Sequence, residues 1–416
     1  MLDRYFYTYH NPAGDRLARG RGTFPDVATV DVELRGSPLW AVGYAMETAV
    51  WHVVLDGGDL QVVEVTPDGE ARTLAFESGW FKSAQPPVVG VSMIEGAYVL
   101  RSDASVSPLS HPIPVNDFEA LYINTAGDLV LGREEGIVAR LPIMAPPYAR
   151  MVMNRRGQVA LYANATDRAR IGDGMAARAL LIVRARDGQL EILTRTDLPG
   201  DDFYCGISPF WADIDGDGIE DLVTTVSREP LGERMRVHLW DGAGIRQEVD
   251  GPPMEPGKNW RQPFSAGPFG FSGQIEIAAM SMSSAGGAVE FFRYVGDSLK
   301  RTAGAPGFTN IVARSRSLDQ TAAGDFNGNG RLEVLALDAS RPGVVAVERS
   351  AMGAEPAWRL DAGAEITSNF APVELLDGRL GLAVGTADDR LRVWLPRPAA
   401  RPRNRREIAC DESSCS

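Results

Sequence analysis

Cysteine is nearly absent, with three residues in 416. Cys410 and Cys415 would make at most one bridge near the end and leave Cys205 over, so a disulfide-built scaffold is excluded. Histidine is almost as rare. His10, His52, His111 and His238 stand far apart and match no zinc-ligand spacing. No run of about 18 apolar residues occurs, so no membrane-crossing helix and no membrane insertion are expected. A basic surplus is also missing. Against 55 Asp and Glu there are 42 Lys and Arg, a net charge of −13. A general binder of nucleic acid or of an anionic membrane would need the opposite sign. The opening MLDRYFYTYHNPAGD has acid and aromatics where a signal peptide needs a basic start and an apolar stretch, so no standard export signal is expected.

Enzyme motifs are mostly missing. There is no G-x-S-x-G elbow, no H-E-x-x-H, no C-x-x-C and no G-x-x-x-x-G-K phosphate loop. Convincing long amphipathic helices are absent as well. Glycine (44) and proline (27) are in excess, which implies many turns. With 44% hydrophobic residues the chain can still bury a sizeable core.

Strand-like patterning fills most of the chain. Ile182–Arg186, then Asp187-Gly188, then Gln189–Leu193 reads as a hairpin, since Asp-Gly tolerates the positive φ of a two-residue turn. The same grammar recurs around Asp56-Gly57-Gly58-Asp59, at Asp68-Gly69, at Asp241-Gly242 and at Gly296-Asp297. A turn-glycine followed by an apolar strand repeats at Gly218, Gly273, Gly330 and Gly378, in steps of 55, 57 and 48 residues. Weaker echoes fall at Gly36, Gly127 and Gly157. Such a period suits one four-stranded propeller blade with a generous loop. The expectation is an all-β fold: one β-propeller over residues 1–395 with about seven blades, or eight, and a disordered Arg/Pro-rich tail over 396–416.

Two acidic loops carry the strongest chemical signal. The first is Asp213-Ile-Asp215-Gly-Asp217-Gly-Ile219-Glu-Asp221, with oxygen-bearing side chains at positions 1, 3, 5 and 9. The second, Asp325-Phe-Asn327-Gly-Asn329-Gly-Arg331-Leu-Glu333, has the same spacing 112 residues later. Carboxylates crowded this closely repel unless a cation neutralises them. Oxygen donors alone favour a hard ion, and calcium tolerates an irregular loop better than magnesium. The backbone carbonyls of Ile219 and Arg331 are candidate further ligands. An EF-hand is rejected, because position 12 is Thr224 or Ala336 and strand sequence follows. Two calcium ions are expected. Asn327 and Asn329 replace two charges, so the second site should be the weaker.

These loops resemble the FG-GAP, or VCBS-type, repeat of integrin-α-like β-propellers. Phe210–Val223 matches that repeat closely, and Ala323–Leu335 nearly as well. The resemblance implies calcium clipped into a loop between blade strands. It does not imply one activity: members act in adhesion, in glycan binding and as polysaccharide lyases.

Eight tryptophans offer faces for sugar stacking. Lys258-Asn-Trp260-Arg261 reads as a loop with cationic and amide donors, the candidate ligand-facing patch. Trp211, Trp240 and Trp394 read as packing between blades. His111, beside Ser110 in a loop, could serve as a base, but such a histidine is more often merely exposed; His52 and His238 read as strand residues. Two functions follow. One is a non-catalytic recognition or scaffolding module for a glycan or protein ligand. The other is a polysaccharide lyase or related sugar-converting enzyme with its site near the central channel. A subunit of a larger assembly is a weaker third, with oligomeric state open. Calcium loops suit an extracellular or periplasmic setting, whereas the missing signal points to the cytoplasm.

Overall fold

Two of the hairpin turns read from the sequence have positive φ at both central residues. Asp187 and Gly188 hold φ of 52° and 72°, and Gly296 and Asp297 hold 48° and 62°. Positive φ at both central residues matches the turn twist to that of the flanking strands. The computed structural model describes residues 4–76, 85–92, 96–100, 105–116, 118–133, 136–167, 176–228, 232–255, 259–283, 286–310 and 319–397. Among them every regular element is a strand.

The strands pair into seven sheets. Four-strand antiparallel meanders run from Pro38–Ala45 to Ala71–Leu74, from Ile113–Asn116 to Gly136–Pro142, and from Trp260–Gly267 to Ser298–Pro306. An eight-stranded sheet is two such meanders, Val152–Met153 to Gln189–Asp197 and Phe203–Ala212 to Ile245–Asp250, joined through the pair Ala177 and Tyr204. The meander from Ala322–Asp325 to Gly353–Asp361 gains Leu17–Arg21, which runs parallel to its first strand. Arg4–Phe6, Val89–Ser92 and Gly96–Val99 form a three-stranded sheet. In the last sheet Ala371–Glu374, Leu380–Thr386 and Arg390–Pro396 take Val27–Glu33 as their fourth strand, pairing Val27 with Pro396. The final strand thus runs one residue into the expected tail. Beyond Arg397 that tail, with Cys410 and Cys415, lies outside the described residues.

Burial explains the patterning. Second strands such as Ala49–Leu55 and Leu380–Thr386 are buried at every position and read as unbroken apolar runs. Fourth strands such as Gln189–Asp197 are largely exposed and carry the charges. The apolar clusters lie between sheets. One joins Tyr162 and Leu180 to Trp211 and Trp240. The next joins Met235 and Val237 to Ile277 and Phe292. Others join Phe291 to Val334 and Val347, Phe326 and Trp358 to Trp394, and Trp51 to Val393. Trp211 and Trp240 therefore pack where the two meanders of the eight-stranded sheet meet, and Trp394 packs between two sheets.

Five of the turn glycines share one backbone conformation. Gly157, Gly218, Gly273, Gly330 and Gly378 all hold φ between 71° and 85°. Each comes shortly before the second strand of its sheet. Gly127 instead precedes a third strand, and Gly36 a first strand, so these two echoes are not the same repeat point.

One feature has no counterpart in the sequence pattern. The N-terminal segment lies along the first strands of successive sheets. Met153 N donates to Pro12 O at 2.6 Å, Trp211 N to Ala13 O at 2.9 Å, Arg16 N to Phe264 O at 3.1 Å and Ala323 N to Arg16 O at 2.9 Å. Arg21 N then reaches Gly378 O at 2.9 Å. Tyr7, Thr8, Tyr9 and Arg16 are all buried.

Candidate functional site

The first acidic loop links Phe203–Ala212 to Asp221–Arg228. Gly216 and Gly218 hold φ of 81° and 84°, which lets the chain wrap on itself. Asp213 accepts from Gly216 N at 2.8 Å and Gly218 N at 3.0 Å. Asp215 accepts from Asp217 N at 3.1 Å, and Asp217 from Ile219 N at 2.8 Å. Asp221 is fully buried and accepts from Ile214 N at 3.0 Å and Trp240 N at 2.8 Å. Carboxylate oxygens of Asp213, Asp215 and Asp221 lie within 4.8 Å of one another. Burial raises the Asp221 carboxyl to about 7, and the charges of Asp215 and Asp217 add to the rise.

Asp217 stands outside that trio. Arg246, from the strand Ile245–Asp250, places Nη2 3.5 Å from Asp217 and also pairs with Asp215. The guanidinium is therefore the counter-charge the protein itself provides. A trio of carboxylates with no nitrogen or sulfur donor fits a hard cation. Asp213, Asp215 and Asp221 would hold it.

The second loop repeats four of these bonds. Gly330 N donates to Asp325 at 3.1 Å, Asn329 N to Asn327 at 2.8 Å, Arg331 N to Asn329 at 2.8 Å and Phe326 N to Glu333 at 2.8 Å. These match the bonds of Gly218, Asp217, Ile219 and Ile214 in the first loop. Glu333 also accepts from Trp358 Nε1 at 3.1 Å, and burial raises its carboxyl to about 7. Asp325 is 6% exposed, and its Oδ1 is buried without a hydrogen-bond partner. An orphaned buried carboxylate oxygen is the kind of group a cation satisfies. The outer side differs from the first loop. Asn329 Nδ2 donates to Glu348 at 3.0 Å, and Arg331 pairs with Glu348.

The ligand-facing patch is not formed as read. Trp260 begins the strand Trp260–Gly267, is 8% exposed and packs with Phe264, Met280 and Phe291. Arg261 is also buried, pairs with Glu290 at 3.0 Å and lies over the Phe292 ring at 4.7 Å. Alternation along a strand sends these two side chains to opposite faces, both interior. Lys258 lies outside the described residues.

The histidines are interior too. His111 is 3% exposed, shares a hydrogen bond of 3.2 Å with Thr8 Oγ1, and burial holds its ring well below the usual histidine range. His238 sits 2.9 Å from Glu248 and 3.1 Å from Thr224 Oγ1, entirely enclosed. His52, on Ala49–Leu55, is enclosed beside Tyr44 and Phe76.

The sequence reading missed a buried charge group. Arg16 and Arg150 both bond Asp319, across separations of 303 and 169 residues. No local spacing signals it, because its members meet only in the fold. Comparison with known proteins finds no matching family model and no matching curated protein.

Proposed function

We propose that the sheets are the blades of one β-propeller, clipped by calcium at two of its loops. Counting the eight-stranded sheet as two gives eight four-strand units, one of them reduced to three strands, which favours eight blades over seven. Shared apolar clusters support closure. They link each unit to the next, and the 371–396 sheet to the 38–74 meander. Closure removes the open sheet edges that a long β-repeat would otherwise expose. The N-terminal strand Val27–Glu33 completing the C-terminal sheet supports it as well.

On this frame the function best supported is a non-catalytic recognition or scaffolding module that presents loops to a glycan or a protein. The observation that carries it is the matched wiring of the loops at Asp213 and Asp325, which makes the acids a clip rather than a reacting pair. The sugar-converting alternative needs room near the axis. Thr8, Tyr9 and Arg16, which the N-terminal segment contributes to the interior, are buried and leave no open cleft at their own positions.

Calcium titration of the chelator-stripped full chain tests the clip. A rise in Tm is expected, since an ion that binds only the folded state stabilises it by mass action. A flat response overturns the calcium reading. A screen of uronate polysaccharides for unsaturated products tests the recognition reading, and product formation would replace it with the lyase.

A further inference from the structure

The two acidic loops differ most on their outer side. Positions 3 and 5 of the first are Asp215 and Asp217, and Ile245–Asp250 turns the cation Arg246 toward both. Positions 3 and 5 of the second are Asn327 and Asn329, and Gly343–Ser350 turns the anion Glu348 toward both. The loop loses two charges, and the charge behind it changes sign.

Glu348 is 8% exposed and stands directly across the ladder from Glu333, at position 9. Side chains at opposed positions of an antiparallel pair share one face, and like charges placed so are destabilising unless something neutralises them. Glu348 Oε2 accepts from Asn329 Nδ2 at 3.0 Å and from Asn327 Nδ2 at 3.5 Å. The Arg331 guanidinium pairs with the same carboxylate. One side chain from outside the loop thus holds the residues at positions 3, 5 and 7. At position 1, Asp325 Oδ1 is buried with no hydrogen-bond partner.

An amide offers a hard cation only its oxygen. Asn327 Oδ1 accepts from Asn329 N and Asn329 Oδ1 from Arg331 N, each at 2.8 Å. Each oxygen keeps a second lone pair, and Glu348 holds the Nδ2 end on the far side. We infer that Glu348 is a positioning residue for the cation of the second loop. It fixes both amides with their oxygens available and supplies, from behind them, negative charge that the asparagines lack. The inference rests on the calcium reading above. Removing a group that orients metal ligands typically costs about 10–100-fold in affinity.

The test uses the chelator-stripped full chain carrying Asp213→Asn, which leaves the second loop to report alone. Calorimetry with calcium chloride reads affinity, and Tm in chelator reads the metal-free fold. Glu348→Gln keeps an acceptor for both amides but has no charge. It should weaken calcium about tenfold or more, while the metal-free Tm moves little. Asn329→Asp adds an acid that faces Glu348, so it should not tighten calcium. Combined with Glu348→Gln, the same change should tighten calcium several-fold relative to Glu348→Gln alone. A Glu348 that served the fold only would make the two substitutions additive. Unchanged affinity in Glu348→Gln, or additive effects, overturns the inference and leaves the calcium reading standing. No calcium binding to the Asp213→Asn chain overturns the inference together with the calcium reading of this loop. Where Glu348→Gln does not fold, Asn329→Asp decides: several-fold tighter binding overturns the inference, and unchanged or weaker binding upholds it.

Discussion

The backbone N–H of Gly22 donates to the carbonyl oxygen of Asp325 at 2.7 Å. Two residues on, Phe24 N donates to Phe326 O at 2.9 Å, and the Phe24 ring stacks on Trp358 at 5.3 Å. The second acidic loop is thus bonded to the N-terminal segment before any ion is considered.

That contact leaves no room at Gly22. A Cβ there would overlap the carbonyl oxygen of Phe326. Gly22→Ala should destabilise the protein by roughly 1–3 kcal/mol, the range for forcing an extra methyl into a packed site. Denaturant melts measure the loss. Hydrogen exchange should locate it in residues 16–24, and unchanged protection there would refute the coupling.

Arg246 occupies the outer side of the first loop, paired with Asp215. A cation entering among Asp213, Asp215 and Asp221 must meet its charge. Arg246→Gln should therefore tighten calcium at this loop several-fold by calorimetry, although the metal-free protein gains nothing. Weaker binding in the variant would mean that Arg246 orders the carboxylates rather than competing for them.

The two loops should differ in affinity. Four aspartates line the ligand positions of the first, against Asp325 and Glu333 in the second. Calorimetry of the stripped protein is expected to resolve a tight and a weaker site. Asp213→Asn should remove the tight one and Asp325→Asn the weak one. Equal affinities, or loss of both sites from either substitution, would contradict the assignment.

Much of this was readable from residues alone. Asp187-Gly188 announces its hairpin, and Gly218, Gly273, Gly330 and Gly378 each mark a turn before a strand, because a turn is a local event set by a few neighbours. The acidic loops were legible for the same reason. Trp260 and Arg261 misled, since the residues flanking a strand's start resemble a loop until burial is known. Glu276 and Gln158 were not noticed, although each occupies the buried first position of a second strand, as Asp221 and Glu333 do. The path of residues 7–21 was invisible. Its partners are scattered over the whole chain, so no window of sequence contains both sides of a contact.

Asp15 sets a pH dependence. Its carboxyl accepts from Ser265 Oγ at 2.6 Å and Ala266 N at 3.3 Å, and burial raises it to about 7 despite these bonds. In the unfolded chain such a group ionises near 4. The folded state therefore binds the extra proton between about pH 4 and pH 7. Stability from this group is complete below that window and falls as pH rises through it. Asp15→Asn should flatten the decline, gaining on the order of 3 kcal/mol relative to the parent between pH 5 and pH 8. Parallel stability profiles for the two proteins would rule this out.

Asp31 bonds Arg392, 361 residues further on, and among the described residues Val27–Glu33 pairs only with Arg390–Pro396. During synthesis Val27–Glu33 therefore leaves the ribosome long before its partner strand. It must wait, unstructured, until nearly the whole remaining chain has been made. A chain interrupted before residue 390 leaves Val27–Glu33 unpaired, and such a fragment should be cleared by proteases rather than persist as a smaller working protein.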